Sequence, residues 1–176
     1  MSAKRRQELR GKYLKLGTGE LAAAVSFAVV AIALVMPRLA GPDDSLALWS
    51  ALVPLLAVLV QAGVYWLAAR SWIERAPMPA ASAAVYRAFR IADPVLLGLG
   101  LAGILMWWPR GVGTALLVVA VWLFGIIEYL NYFVVRLAYP LDRWFTRVGQ
   151  WRTPRLVQDL YTSATPSGSR SHSGPN

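Results

Sequence analysis

The stretch that decides the fold is residues 46–69, LALWSALVPLLAVLVQAGVYWLAA, which contains 24 residues and no charge. A helix rises about 1.5 Å per residue, so this stretch is long enough to cross a hydrocarbon core of about 30 Å. Gln61 is its one strongly polar side chain. Pro54 lies inside the stretch, which does not exclude a helix because membrane helices tolerate an interior proline. The stretch therefore predicts a transmembrane helix.

Three further apolar runs surround it, at Leu21–Met36, Pro94–Trp108 and Gly113–Val135. The chain is 57% hydrophobic over 176 residues, more than a soluble domain of this length can bury. Pro37 and Arg38 follow the first run where small residues would precede a signal cleavage site, so we predict a retained span. These features predict an all-α, polytopic membrane protein with a bundle of four transmembrane helices.

Two acidic residues stand at the starts of predicted spans. Asp93-Pro94 is interpreted as a helix N-cap followed by a proline in the first turn. Glu20 stands where the dipole of a starting helix favours an acid. The third span, Pro94–Trp108, is then only about 22 Å long, so it is expected either to use residues before Asp93 or to thin the bilayer around it.

Charge predicts the orientation. Lys and Arg number six in residues 1–20, then one, four and one in the three loops, and six in residues 136–176. The positive-inside rule then places both termini and the middle loop in the cytoplasm. Trp49, Trp107 and Trp108 fall at outer ends of spans, and Trp66 and Trp72 near inner ends, as interfacial belts do. The Ala-, Arg- and Gly-rich composition indicates a bacterial inner membrane.

Four segments follow from this organisation. Residues 1–16 form a basic cytoplasmic segment, 17–139 the transmembrane domain, 140–161 a basic amphipathic cytoplasmic helix, and 162–176 a disordered tail. In the third segment Leu141, Trp144, Phe145 and Val148 share one helix face. Arg143, Trp144, Arg147 and Arg152 are therefore candidate lipid-binding residues for an anionic inner leaflet. The alternative is a helix that docks on a partner protein.

The second informative stretch is FGIIEYLNYFVVRLAYP, residues 124–140, which places polar side chains within an apolar run. At a rise of about 1.5 Å per residue along each span, Glu20, Gln61 and Asp93 are expected at a similar depth, in the cytoplasmic third of the bilayer. The candidate ligand-binding residues are Glu128, Asn131, Tyr132, Gln61, Tyr65 and Arg136. They predict either a pocket open to the cytoplasm or interhelical hydrogen bonding in which Glu128 pairs with Arg87 or Arg90.

Small residues indicate where helices approach closely. Gly98, Gly100 and Gly103 lie in the third span and Gly63 in the second. They are consistent with a compact bundle or with a homodimer, and the sequence does not choose between them.

The sequence shows no motif for catalysis. It contains no cysteine, and its one histidine, His172, lies in the polar tail, so we predict neither a metal site nor a cofactor. The net charge of +9 is explained by anionic lipid better than by nucleic acid. We expect an accessory, regulatory or assembly subunit, with a membrane lipid, protein partner or second copy bound. The alternatives are a small, dimeric transporter or binding bundle that uses Glu128, and a lipid-active enzyme.

Overall fold

The computed structural model describes residues 3–72, 78–133 and Leu156. The elements in these ranges are all helices: α1 (Ala3–Val30), α2 (Pro42–Trp72), α3 (Ala80–Met106) and α4 (Val112–Phe133). A π-helical turn, Ala31–Val35, and a 3₁₀ turn, Met36–Arg38, continue α1. Four helices are long and apolar enough to span a membrane, so this is a multi-pass membrane protein. The predicted all-α, four-helix architecture is confirmed.

The third helix uses residues before Asp93, as one of its two predicted alternatives requires, but its predicted start is wrong. α3 begins at Ala80, so Asp93 and Pro94 lie in its interior and the predicted N-cap is wrong. The Ala-rich segment before Asp93 favours helix strongly enough to continue through the proline. Its 27 residues span about 40 Å, so no thinned bilayer is needed. Glu20 likewise lies inside α1, which starts at Ala3, and the helix-dipole explanation of that acid is wrong.

α2 is the central helix of the bundle. It packs against α1, α3 and α4, while α4 also packs against α3. Most of its faces are buried, from Asp44 near its start to Trp72 at its end. The other helices expose apolar side chains such as Val25, Leu99 and Leu116, as lipid-facing surfaces do. α2 starts at Pro42, ahead of the predicted span, and the backbone N–H of Ala40 donates to Asp44 Oδ2 at 3.2 Å.

Glycines set the closest helix approaches. A Cβ atom at Gly100 would lie 2.5 Å from the carbonyl oxygen of Ser50, and one at Gly103 would clash with Ser50 Oγ. Gly63 meets Gly17 on α1, with the Gly17 oxygen 3.1 Å from the position of an added Cβ. Three of the four predicted glycines therefore let backbones approach, whereas Gly98 faces open space.

Two interior prolines leave backbone carbonyls without their helical partners, since proline has no N–H to donate. Pro94 frees the carbonyl of Arg90, four residues earlier, and the Tyr129 hydroxyl on α4 donates to that oxygen at 3.1 Å. Pro54 frees the carbonyl of Ser50, the atom that Gly100 approaches. Each helix interruption is thus matched by a feature of a neighbouring helix.

The bundle contains two apolar cores along its axis. The aliphatic core is built from Ala24, Ala31, Ala47, Leu48, Ala51, Leu52, Leu55, Leu59, Ile104 and Val118. The aromatic core contains Tyr13, Tyr65, Trp66, Trp72, Tyr86, Tyr132 and Phe133, with Leu156 packed into it. Each of the four helices carries one polar residue between the aromatic core and the aliphatic core. These residues are Glu20, Gln61, Asp93 and Glu128, and we call their four side chains the polar layer.

The aromatic core corrects the belt assignment of two tryptophans. Trp66 is only 7% exposed and stacks on Tyr13 with ring centroids 5.1 Å apart. Trp72 is buried in the same core. These rings face other helices because α2 is surrounded by its neighbours, a fact that hydropathy along one helix does not reveal.

A pair of glycine variants tests the α2–α3 contact. Gly100→Ala should lower the free energy of unfolding by about 1–3 kcal/mol, because the new methyl group meets the Ser50 carbonyl. The matched control, Gly98→Ala, should leave the protein unchanged or stabilise it by up to about 1 kcal/mol, because that position is open and alanine favours helix. Thermal unfolding in detergent micelles measures both. Equal changes in the free energy of unfolding for the two variants would contradict the close α2–α3 contact at Gly100.

A double-mutant cycle tests the link between Pro94 and Tyr129. Tyr129→Phe alone should cost about 1 kcal/mol, because the freed Arg90 carbonyl loses its donor. In a Pro94→Ala background the helix supplies that donor itself, so the same change should cost measurably less. The same cost in both backgrounds would show that the two residues act independently.

Candidate functional site

The candidate site is the polar layer together with the hydroxyl groups that reach it. Glu20 comes from α1, Gln61 from α2, Asp93 from α3 and Glu128 from α4. Polar groups at this depth are expensive unless they are paired, so their partners decide what the site can do.

Tyr132 joins three helices. Its hydroxyl donates to Glu20 Oε1 on α1 and accepts from Trp66 Nε1 on α2 at 3.3 Å. Tyr132 itself is buried on α4, so water competes little for these bonds. One hydroxyl group therefore satisfies a carboxylate and an indole at once.

Glu128 lies one turn before Tyr132 on α4 and is half-buried. Its carboxyl group is hydrogen-bonded by the Asn131 side chain, and its charged neighbour is Glu20. Among the described residues, the groups that interact with the Glu128 carboxyl are Asn131 and Glu20, and neither of the predicted partners, Arg87 and Arg90, is one of them. The carboxyl groups of Glu20 on α1 and Glu128 on α4 are therefore neighbours.

Asp93 and Gln61 form the second pair, between α3 and α2. Gln61 Nε2 donates to Asp93 Oδ1 at 3.0 Å, and the Tyr86 hydroxyl donates to the Gln61 backbone oxygen at 3.2 Å. Asp93 is only 1% exposed. Gln61 Oε1 and Asp93 Oδ2 are both buried without a hydrogen-bond partner among the described residues.

Of the other predicted site residues, Tyr65 packs in the aromatic core and the rest lie outside the described residues. Tyr65 is fully buried in the aromatic core, with its ring 5.1 Å from Trp66 and 5.5 Å from Tyr86 between centroids. Arg136 and the four lipid-binding candidates, Arg143, Trp144, Arg147 and Arg152, lie outside the described residues. Of the predicted amphipathic segment 140–161, the structure describes Leu156, which is helical and 3% exposed.

The space at the polar layer is small. A cavity of about 10 Å³ lies between α2, α3 and α4, and Leu156 lines it together with Gln61, Tyr86 and Tyr132. An open groove of about 290 Å³ lies at the opposite end of the bundle, around Trp108, Arg110 and Leu116. In the described ranges no cluster of three or more His, Cys, Asp or Glu side chains could hold a metal ion.

The site residues predicted from the sequence omit five members of the network: Glu20, Trp66, Tyr86, Tyr129 and Asp93. For Asp93 a usable signal exists, because Tyr86, Asp93 and Gly100 are seven residues apart and share the buried stripe of α3. For Trp66 the belt interpretation hid its role. The spacing of residues along one helix does not show which side chain on another helix will be the hydrogen-bond partner.

Comparison of the chain with protein-family models, curated proteins and solved structures finds no match.

A hydroxyl deletion tests the Tyr132 junction. Tyr132→Phe keeps the ring but leaves Glu20 and Trp66 without their shared partner, so the free energy of unfolding should fall by about 1–3 kcal/mol. The matched control is Thr18→Val, which removes an exposed hydroxyl bonded to its own helix and should change stability by less than about 0.5 kcal/mol. Unfolding in micelles measures both. An unchanged Tyr132→Phe protein would show that the junction contributes nothing.

Proposed function

We propose that this protein is an accessory, regulatory or assembly subunit of a membrane complex. In this proposal it resides in the inner membrane of a bacterium, with both termini in the cytoplasm. The orientation rests on the alternation of Lys and Arg between the loops. The membrane assignment rests on composition.

The observation that carries the proposal is that three of the four side chains of the polar layer, Glu20, Gln61 and Asp93, are hydrogen-bonded across helices. Tyr132 links α1, α2 and α4, and the Gln61–Asp93 bond links α2 and α3. The adjacent cavity of about 10 Å³ is far below the roughly 300–1,000 Å³ of ligand pockets. Such a network supports cohesion of the bundle and leaves its outer surfaces for interaction.

Two surfaces are available to partners. The lipid-facing sides of α3 and α4 expose large apolar groups, including Met106, Val112 and Leu116. The first half of α1 exposes Arg10, Lys12 and Lys15, which suit an anionic inner leaflet or an acidic partner segment. The candidate lipid-binding residues Arg143, Trp144, Arg147 and Arg152 would extend this basic surface.

A binding or transport bundle that uses Glu128 is the second candidate. One observation favours it: the carboxyl groups of Glu20 on α1 and Glu128 on α4 are neighbours, because Tyr132, one turn from Glu128, donates to Glu20. An acidic pair of this kind attracts a cationic ligand or a proton. The small cavity counts against a bulky substrate, unless a second copy of the chain completes the site.

Native mass spectrometry of the full chain, released gently from its own membrane, separates the two candidates. We expect a stoichiometric membrane-protein partner, retained by Glu128→Gln because that residue acts inside the bundle. Replacing Arg143, Arg147 and Arg152 together by Gln should reduce partner or anionic-lipid retention several-fold. The matched control replaces three tail polar residues, Ser167, Ser169 and Ser171, by Ala.

Two results would contradict the accessory role. A bound small molecule that disappears in Glu128→Gln would support the binding bundle. Recovery of the chain alone, or with a second copy only, would remove the evidence for a heterologous partner.

A further inference from the structure

Asp93 presents an unresolved problem of hydrogen bonding at the centre of the bundle. Its Oδ1 accepts from Gln61 Nε2, but its Oδ2 has no donor among the described residues. Gln61 has the complementary problem, because its Oε1 also lacks a donor. Asp93 and Gln61 thus share one hydrogen bond, and each keeps one buried oxygen without a donor among the described residues. Buried acceptors without donors are costly in a low-dielectric interior.

The groups around the pair do not relieve this cost. α2 presents the Gln61 amide, whose nitrogen is already engaged with Asp93, and α4 presents Tyr129, whose hydroxyl donates to the Arg90 carbonyl. On α3 itself, the Tyr86 hydroxyl donates to the Gln61 backbone oxygen, and the charge of Arg90 acts on Tyr129. Glu20 and Glu128 place two further carboxyl groups at the same level of the bundle, and the Tyr132 hydroxyl donates to Glu20 rather than to Asp93 or Gln61.

One added atom resolves both unpartnered oxygens. A hydrogen on Asp93 Oδ2 converts that oxygen into a donor, and Gln61 Oε1 is the acceptor that lacks one. A protonated carboxyl and a primary amide then form a ring of two hydrogen bonds between α3 and α2. The ring is neutral, which explains how an acid remains only 1% exposed.

We propose that Asp93 and Gln61 form a proton-binding site at the polar layer, with Asp93 Oδ2 carrying the proton and donating it to Gln61 Oε1. The ligand is a single proton. A metal cation is a poorer fit, since it needs several oxygen ligands and a space of its own, and the neighbouring cavity has a volume of only about 10 Å³. The inference is independent of the accessory role proposed above.

Infrared spectroscopy of the full chain in lipid bilayers at neutral pH tests the site. Protein labelled with ¹³C at the aspartate carboxyl group should show a protonated-carboxyl C=O band that moves with the label and shifts in D₂O. Asp93→Asn should remove this aspartate band completely. The controls Asp44→Asn, at the other buried aspartate, and Glu128→Gln should retain it.

Asp93→Asn is expected to fold, because its amide can donate to Gln61 Oε1 and accept from Gln61 Nε2 in the same ring. Gln61→Leu tests the ring directly, because it should move the aspartate band to the higher frequency of a carboxyl without hydrogen bonds. The labelled wild-type protein keeps the proposal falsifiable even if a variant does not fold. Absence of a label-sensitive protonated band, its persistence in Asp93→Asn, or an aspartate carboxylate band that responds to Na⁺ or K⁺ would overturn the proposal.

Discussion

Hydrocarbon supplies no hydrogen-bond partners, and this constraint governs the polar half of the bundle. Glu20, Gln61, Asp93 and Glu128 lie between two apolar cores, one on each helix. Glu20, Gln61 and Asp93 find their partners on neighbouring helices, whereas Glu128 is hydrogen-bonded by Asn131 on its own helix. The position of one helix relative to another is therefore specified by polar contacts as well as by apolar packing.

Close packing around α2 makes these contacts reachable. Gly100 and Gly103 bring α3 onto Ser50, and Gly63 brings α1 onto the same helix. Lipid gives little hydrophobic force between helices, so short separations and well-matched surfaces supply the attraction. The prolines fit the same scheme, because the carbonyl released by Pro94 is the one that Tyr129 reaches from α4.

The aromatic core both covers the polar layer and supplies hydrogen-bonding groups to it. Trp66, Tyr86 and Tyr132 bury large rings while their polar atoms form hydrogen bonds with one another, with Glu20 or with the Gln61 backbone, a use for which Tyr and Trp are suited. Leu156 packs into this core from a part of the chain far from the helices in sequence. The polar layer is thereby covered on one side by rings and on the other by aliphatic side chains, which limits the water and ligand that can enter.

The sequence by itself determined the number and type of the helices, because an uncharged run of some twenty residues has few stable alternatives to a membrane helix. It also indicated that polar residues gather at one depth, and that Gly63, Gly100 and Gly103 mark close approaches. It misplaced the start of α3 and the roles of Asp93 and Trp66, because a cap and a belt are inferred from local pattern alone. Only the tertiary structure decided that Tyr132 joins Glu20 to Trp66 and that Gln61 meets Asp93, since these bonds depend on the rotation and depth of whole helices, which long-range packing sets.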